Sequence, residues 1–416
     1  GTNNKYGTFP AVSAGWIITA EDFMKKVKGL SYLKLKAGYG LTGNAEIGNY
    51  AQWGTTNIAA TQQYVGNAFY NISALSNPDL RWETTKNYDI GLEYGFLNNR
   101  ITGEISYYIK DASDLFLNVR TTTSAGYGSV LGNYGKVRNK GLEFSISSRN
   151  IVKKDFTWTT DFNIARNTNR VIDIGTTSPD ALGGNGDTRV IIGSPIGSNY
   201  LVRTLYIDPA DGLPVYELLD ADRKVAGTTK EYNAQRDRQI VGSPYPDFFG
   251  GIDNRFTYKN FEFGFTGTYS IGGYIYDDAE KFQLNNIGEW DVKKEVFLRR
   301  WQKPGDVTDI PRVTLGLTSL QRTRNTTEYL HSATYFRMKV VSVGYRLPQQ
   351  LLKKLHLSNA RIALSASNLF TLSKYDGDPE VFRDAGSSQA RNISPNVTYL
   401  TPPQSKNYTL SLNLNF

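Results

Sequence analysis

The end of the chain alternates residue by residue. In Tyr408-Thr409-Leu410-Ser411-Leu412-Asn413-Leu414-Asn415-Phe416 every second side chain is apolar and those between are polar. A β-strand sends successive side chains to opposite faces, so one face of this segment meets an apolar medium and the other a polar one. The pattern recurs. Tyr88, Ile90, Leu92, Tyr94 and Phe96 alternate with Asn87, Asp89, Gly91, Glu93 and Gly95. After Leu97-Asn98-Asn99-Arg100, Ile101, Gly103, Ile105, Tyr107 and Ile109 alternate with Thr102, Glu104, Ser106 and Tyr108. This predicts a hairpin with a tight polar turn. Leu142, Phe144 and Ile146 lead through a turn at 149–155 into Phe156, Trp158, Phe162 and Ile164. Phe256-Thr257-Tyr258, the turn Lys259-Asn260, and Phe261, Phe263 and Phe265 make another hairpin. Val341, Val343, Tyr345 and Leu347 run into a turn opened by Pro348, and Ile362, Leu364 and Ala366 then lead to Phe370. Segments 9–19 and 31–40 form the first pair. The polar faces carry Glu93, Glu104, Glu143 and Asp161, charges that are tolerable only where that face sees water.

The connections are asymmetric. One set is short, at 97–100, 149–155, 259–260 and 348–359; the alternate set is long, at 41–83, 111–133, 169–246, 272–332 and 371–405. Long connections are uncommon in compact soluble domains. Short turns at one end and long loops at the other mark outer-membrane β-barrels, with the long loops extracellular. About eleven strands result, the first and last both running towards the periplasm. Single-chain bacterial barrels usually have an even count, and the chain opens on Gly1-Thr2-Asn3-Asn4. Residues 1–416 are therefore expected to be the C-terminal portion of a longer protein, an all-β transmembrane antiparallel barrel segment with long extracellular loops.

Composition narrows the alternatives. Aromatics make up 13%, with 27 Tyr and 20 Phe, while mean hydropathy is only −0.42. A wall with one lipid face and one water face averages to such values. No run of 18 apolar residues is present, which excludes a transmembrane helix. The net charge of +8 comes without a run of five like charges, so nucleic acid is not an expected partner. Cysteine is absent, ruling out disulfides and thiolate metal sites. The two histidines, His331 and His356, lie far apart and read as polar loop or turn residues. With so little material for a triad or a metal centre, neither an enzyme nor a cofactor is expected.

Several stretches resemble the SusC/RagA family of TonB-dependent outer-membrane transporters of Bacteroidetes. They are Phe9-Pro10-Ala11-Val12-Ser13-Ala14-Gly15-Trp16, Leu35-Lys36-Ala37-Gly38-Tyr39-Gly40-Leu41-Thr42-Gly43-Asn44 and Ile47-Gly48-Asn49-Tyr50. Asn77-Pro78-Asp79-Leu80-Arg81-Trp82-Glu83-Thr84-Thr85 and Gly135-Lys136-Val137-Arg138-Asn139-Lys140-Gly141-Leu142-Glu143 follow. Tyr245-Pro246-Asp247-Phe248-Phe249-Gly250-Gly251 and Ser367-Asn368-Leu369-Phe370 complete the set. The resemblance implies the C-terminal half of a 22-stranded barrel in the outer membrane of a Gram-negative bacterium. It implies import of oligosaccharides or oligopeptides energised by TonB, through a plug and a TonB-contacting segment expected to lie upstream of this chain. A SusD-like surface lipoprotein would form the lid, and two transporter–lid pairs would associate. The alternative is a SusC-like barrel that transports nothing and serves as a structural subunit of a larger outer-membrane assembly.

Trp53, Tyr64, Trp82, Tyr127 and Tyr134 fall in or beside the long loops and are candidate substrate-binding aromatics, since rings stack on sugars or grip peptide side chains. The competing reading is an interfacial aromatic belt or packing against a lid. Tyr408, Leu410, Leu412, Leu414 and Phe416 resemble the C-terminal signal by which outer-membrane proteins are recognised for assembly. Asp208-Pro209-Ala210-Asp211-Gly212 and Asp376-Gly377-Asp378-Pro379 look like calcium-loop fragments but lack the full acidic spacing, so both predict turns. Gly183-Gly184-Asn185-Gly186 lacks the lysine of a phosphate loop and predicts a loop tip.

Overall fold

The computed structural model describes residues 1–46, 52–64, 67–120, 129–175, 187–285, 291–314, 324–380, 382 and 393–416. Eleven strands form one antiparallel sheet in chain order. They are β1 (Ala11–Ile17), β2 (Leu30–Asn44), β3 (Glu83–Phe96), β4 (Ile101–Arg120), β5 (Ser129–Val152), β6 (Phe156–Asp173), β7 (Phe248–Tyr258), β8 (Phe261–Ile271), β9 (Tyr335–Arg346), β10 (Asn359–Ser373) and β11 (Asn407–Asn415). The count agrees with the alternation. Among the described residues no helix is long and apolar enough to cross a membrane.

Register lines up the apolar positions across strands. One rung runs Trp16, Leu35, Leu92, Ile105, Phe144, Ile164 through successive partners. Another runs Trp158, Phe256, Phe263, Val343, Leu364, Leu410. These side chains point away from the sheet: Leu410 is 71% exposed, Leu364 56% and Val343 50%. A continuous apolar band open to its surroundings is what lipid requires of a barrel's outer face. The other face is ionic. Lys36 Nζ lies 3.2 Å from Glu93 and 2.7 Å from Glu104, carboxylates that are cross-strand partners. Glu262 accepts Arg361 Nε at 2.8 Å and also pairs with Arg346. Opposite charges in facing positions stabilise a sheet only modestly, but like charges left facing one another destabilise it, so Lys36 keeps that rung from being repulsive.

The short connections are turns. Leu97, Asn98 and Asn99 all have φ between 52° and 57°, a left-handed run that asparagine tolerates better than most residues. His356 likewise sits at φ 56°, a turn residue as expected. The long connections depart from a loop-only reading. β4 continues to Arg120 and β5 begins at Ser129, so most of 111–133 is strand; β6 runs on to Asp173. Beyond the membrane lipid no longer covers the outer face, and part of the inner face packs on the loop layer, so the alternation that marked the wall is no longer demanded there. The remaining loops pack into a layer with its own small sheets. Ser198–Val202 pairs with Arg238–Gly242 and Thr188–Arg189, Pro214–Leu219 with Thr204–Ile207 and Val225–Thr229, and Tyr274–Asp277 with Leu330–Ser332 and Val397–Thr398. Its core is apolar and buried: Leu201, Tyr276, Tyr329 and Val397 are fully enclosed. A second cluster, Val137, Val171, Ile174 and Val190, ties it to the tops of β5 and β6.

Candidate functional site

The loop layer holds a cleft of ≈ 1010 Å³. Its floor is ionic. Glu280, which opens the helical turn Glu280–Asn285, is 7% exposed. His331 Nε2 lies 2.5 Å from Glu280 Oε2, and Lys293 Nζ donates to Oε1. Burial works to raise the Glu280 pKa, but the bonds from His331 and Lys293 outweigh it and hold the carboxyl below its ordinary value. Behind it, Tyr375 Oη donates to Asp277 Oδ2 at 2.7 Å, and the Tyr375 ring lies 5.1 Å from that of His331. Desolvation, and then the nearby Glu280 charge, push Asp277 up. The rim is mixed, with Leu205, Leu298 and Val307 exposed beside the Arg299–Asp309 ion pair. Both oxygens of Glu280 are thus engaged, one by His331 and one by Lys293. Among the described residues no group of three or more His, Asp or Glu could hold a metal ion.

A second cavity of ≈ 470 Å³ opens on the inner face of β7–β9, lined by Asn163, Asp253, Thr268, Tyr335 and Glu380. Here the connection after β10 folds into the barrel mouth. Arg337 on β9 is 2% exposed and pairs with Asp378 and with Glu380 at 3.0 Å. Lys339 Nζ adds a bond to Glu380 at 2.7 Å, and Tyr335 Oη donates to Glu380 at 2.8 Å. Burial favours the neutral form of Asp378, but the backbone N–H of Gln404 and the guanidinium of Arg337 hold its pKa low. Removing either partner of so enclosed a pair leaves an uncompensated charge, so this cluster fixes the loop's position over the lumen.

Among the described residues, Trp53, Trp82 and Tyr134 line neither cavity. Trp53, 56% exposed, sits in the connection after β2. Trp82 is half-buried against Phe9, ring centroids 5.5 Å apart. Tyr134 is on β5, 39% exposed, its ring against Gly132 and Gly175. The Tyr64 side chain, Tyr127, Gly183–Gly186 and the stretch 47–50 lie outside the described residues. Tyr408, Leu410, Leu412 and Leu414 occupy the outer face of β11, and Phe416 follows it at 93% exposed. The two aspartate motifs are turns. Asp208 and Asp211 accept from the backbone N–H groups of Ala210 and Leu213, with Lys230 bridging both carboxylates; Asp378 is taken by Arg337. His331 departs from its reading as a polar loop or turn residue. It lies in a short strand and meets Glu280, 51 positions away, and no local signal announces such a pairing.

Residues 1–190 match the family model described as TonB dependent receptor-like, beta-barrel. TonB-dependent receptor P3 of Formosa agariphila is 30% identical over the whole chain, which covers 42% of that relative. TonB-dependent receptor SusC of Bacteroides thetaiotaomicron is 31% identical over 91% of the chain and 38% of its own length. The structure of the RagAB peptide transporter superposes on the whole chain with a TM-score of 0.84 at 27% identity, covering 44% of the matched chain. The chain thus spans about two fifths of the length of these curated relatives.

Proposed function

We propose, because this chain belongs to the TonB-dependent receptor β-barrel family in its SusC/RagA branch, that the whole protein imports large nutrients across the outer membrane. The chain itself is part of an outer-membrane wall. The observation that carries the proposal is the pairing of an ionic inner face with a folded loop layer, with a mouth cavity opening on that face. Upstream sequence supplies the remaining strands, a plug and a TonB-contacting segment, so that TonB energises transport. A SusD-like lipoprotein forms the lid, and pairs of transporter and lid associate. The cargo is an oligosaccharide or an oligopeptide, with RagAB, described as a peptide transporter, as the precedent for the second. Trp53, Tyr64, Trp82, Tyr127 and Tyr134 are expected to meet cargo or lid, and the Tyr408–Phe416 pattern to be read during barrel assembly.

Growth of a deletion strain on single glycans and peptide mixtures tests this. Loss of growth on one class, restored by the intact gene and not by one lacking the TonB-contacting segment, is the expected result. Unchanged uptake of every cargo, together with failure of other outer-membrane proteins to assemble, would show a structural subunit instead.

A further inference from the structure

The outer face is not uniform around its extracellular rim. On β3–β6 the outward rung Ile90, Tyr107, Leu142, Arg166 is followed by Tyr88, Ile109, Lys140, Thr168 and then by Lys86, Asp111, Arg138, Arg170. Five cations thus share three rungs with the single carboxylate of Asp111, which Arg138 engages through Nε at 2.6 Å and Nη2 at 2.9 Å. Lys86, Arg138, Lys140, Arg166 and Arg170 are all exposed. Arg138 and Arg170 are direct cross-strand partners, an arrangement of like charges that destabilises a sheet unless an anion lies across it. On β7–β10 the same height is apolar: Phe248 faces Ile271, and Tyr269, Phe336 and Leu372 share a rung.

Height decides what this patch meets. The apolar column of β5 runs from Ile151, opposite Trp158, to Leu142. Its nine steps at roughly 3.3 Å, on a strand tilted by about 40°, rise about 23 Å, close to the ≈ 25 Å apolar band of such barrels. Arg166 stands level with the top of that band, Lys140 one rung above it and Arg138 and Arg170 two. We propose that this patch binds the phosphate-bearing headgroup of an outer-leaflet glycolipid, whose acyl chains lie along Ile90, Tyr107 and Leu142. Guanidinium forks match phosphate oxygens in pairs of bonds, and basic groups at this depth attract anionic headgroups. Arg166, whose Cζ lies 5.6 Å from the Phe248 ring centroid, is held at the patch's edge. The inference rests on the orientation of the wall and is independent of cargo or transport.

The test uses the whole protein in detergent, titrated with diphosphorylated lipid A and with its dephosphorylated form, bound lipid being counted by native mass spectrometry. Each basic residue contributes roughly a fivefold gain in binding, so the triple variant Lys140→Gln, Arg166→Gln, Arg170→Gln should lose about a hundredfold. Dephosphorylated lipid should bind the unaltered protein as weakly. The charge-keeping variant Lys140→Arg, Arg166→Lys, Arg170→Lys, which loses two forks but no charge, should bind well above the triple variant, and retention of the heat-modifiable band on gels shows that each variant is folded. Undiminished binding by the folded triple variant, or equal binding of both lipids, overturns the proposal. Displacement of the lipid by equimolar inorganic phosphate, or an acidic protein held at the patch in its place, overturns it too.

Discussion

The wall and the loop layer solve opposite problems with the same residue types. In the wall the large apolar side chains face out: Leu412 is 63% exposed, while the inner face carries Lys36, Glu93 and Glu104. In the loop layer Tyr276 and Tyr329 are fully buried, and polar groups such as the Tyr276 hydroxyl are satisfied internally by Asn325 at 3.0 Å. The difference teaches that exposure of an apolar residue has no fixed sign here. Lipid rewards it and water penalises it, and only position along the strand says which medium applies.

The largest expected effect tests the loop layer. Tyr276→Ala should destabilise it by about 3–5 kcal/mol, as large-to-small changes of aromatic residues in cores do. Protease and hydrogen-exchange protection should fall in 188–242, 274–285 and 324–332 while the folded barrel band persists. Equal loss from the wall would mean that the two regions are one cooperative unit. The wall is tested next. Leu412→Arg, on the lipid face, should destabilise it by about 2–4 kcal/mol, whereas Ser411→Arg on the inner face should be near neutral in urea unfolding. Similar effects for both would place lipid on the wrong side.

Acid separates the regions by chemistry. Glu280 and Asp378 have folded pKa values below their unfolded ones, so their stabilisation is present at neutral pH and fades as pH falls below the ordinary carboxylate range of about 4. Asp277 has the opposite sign: its raised value means that stability declines as pH rises through it. Loop protection followed from pH 7 to 3 should therefore show an acid-induced loss that Glu280→Gln diminishes, and Asp277→Asn should tighten the layer at neutral pH. The smallest effect is that of Lys36→Gln. Its ion pairs are a third exposed and worth about 1 kcal/mol or less in total, yet its removal leaves Glu93 and Glu104 facing one another, so the loss should shrink with added salt.

By itself the sequence determined the wall. Strict alternation in segments such as 88–96 and 408–416 specifies strands, their sidedness and, with the turns at 97–100 and 259–260, their pairing, because a one-residue slip would turn every apolar side chain from lipid to lumen. It also located the turns made by Asp208 and Asp211, whose bonds are local. Tertiary structure alone decided the loop layer. The enclosure of Tyr276 and Tyr329, the meeting of His331 with Glu280 and the capture of Asp378 by Arg337 all depend on partners dozens of residues away. No two-sided solvent imposes a period there, so no period records the packing; the contacts exist only once the eleven strands have set where each loop begins and ends.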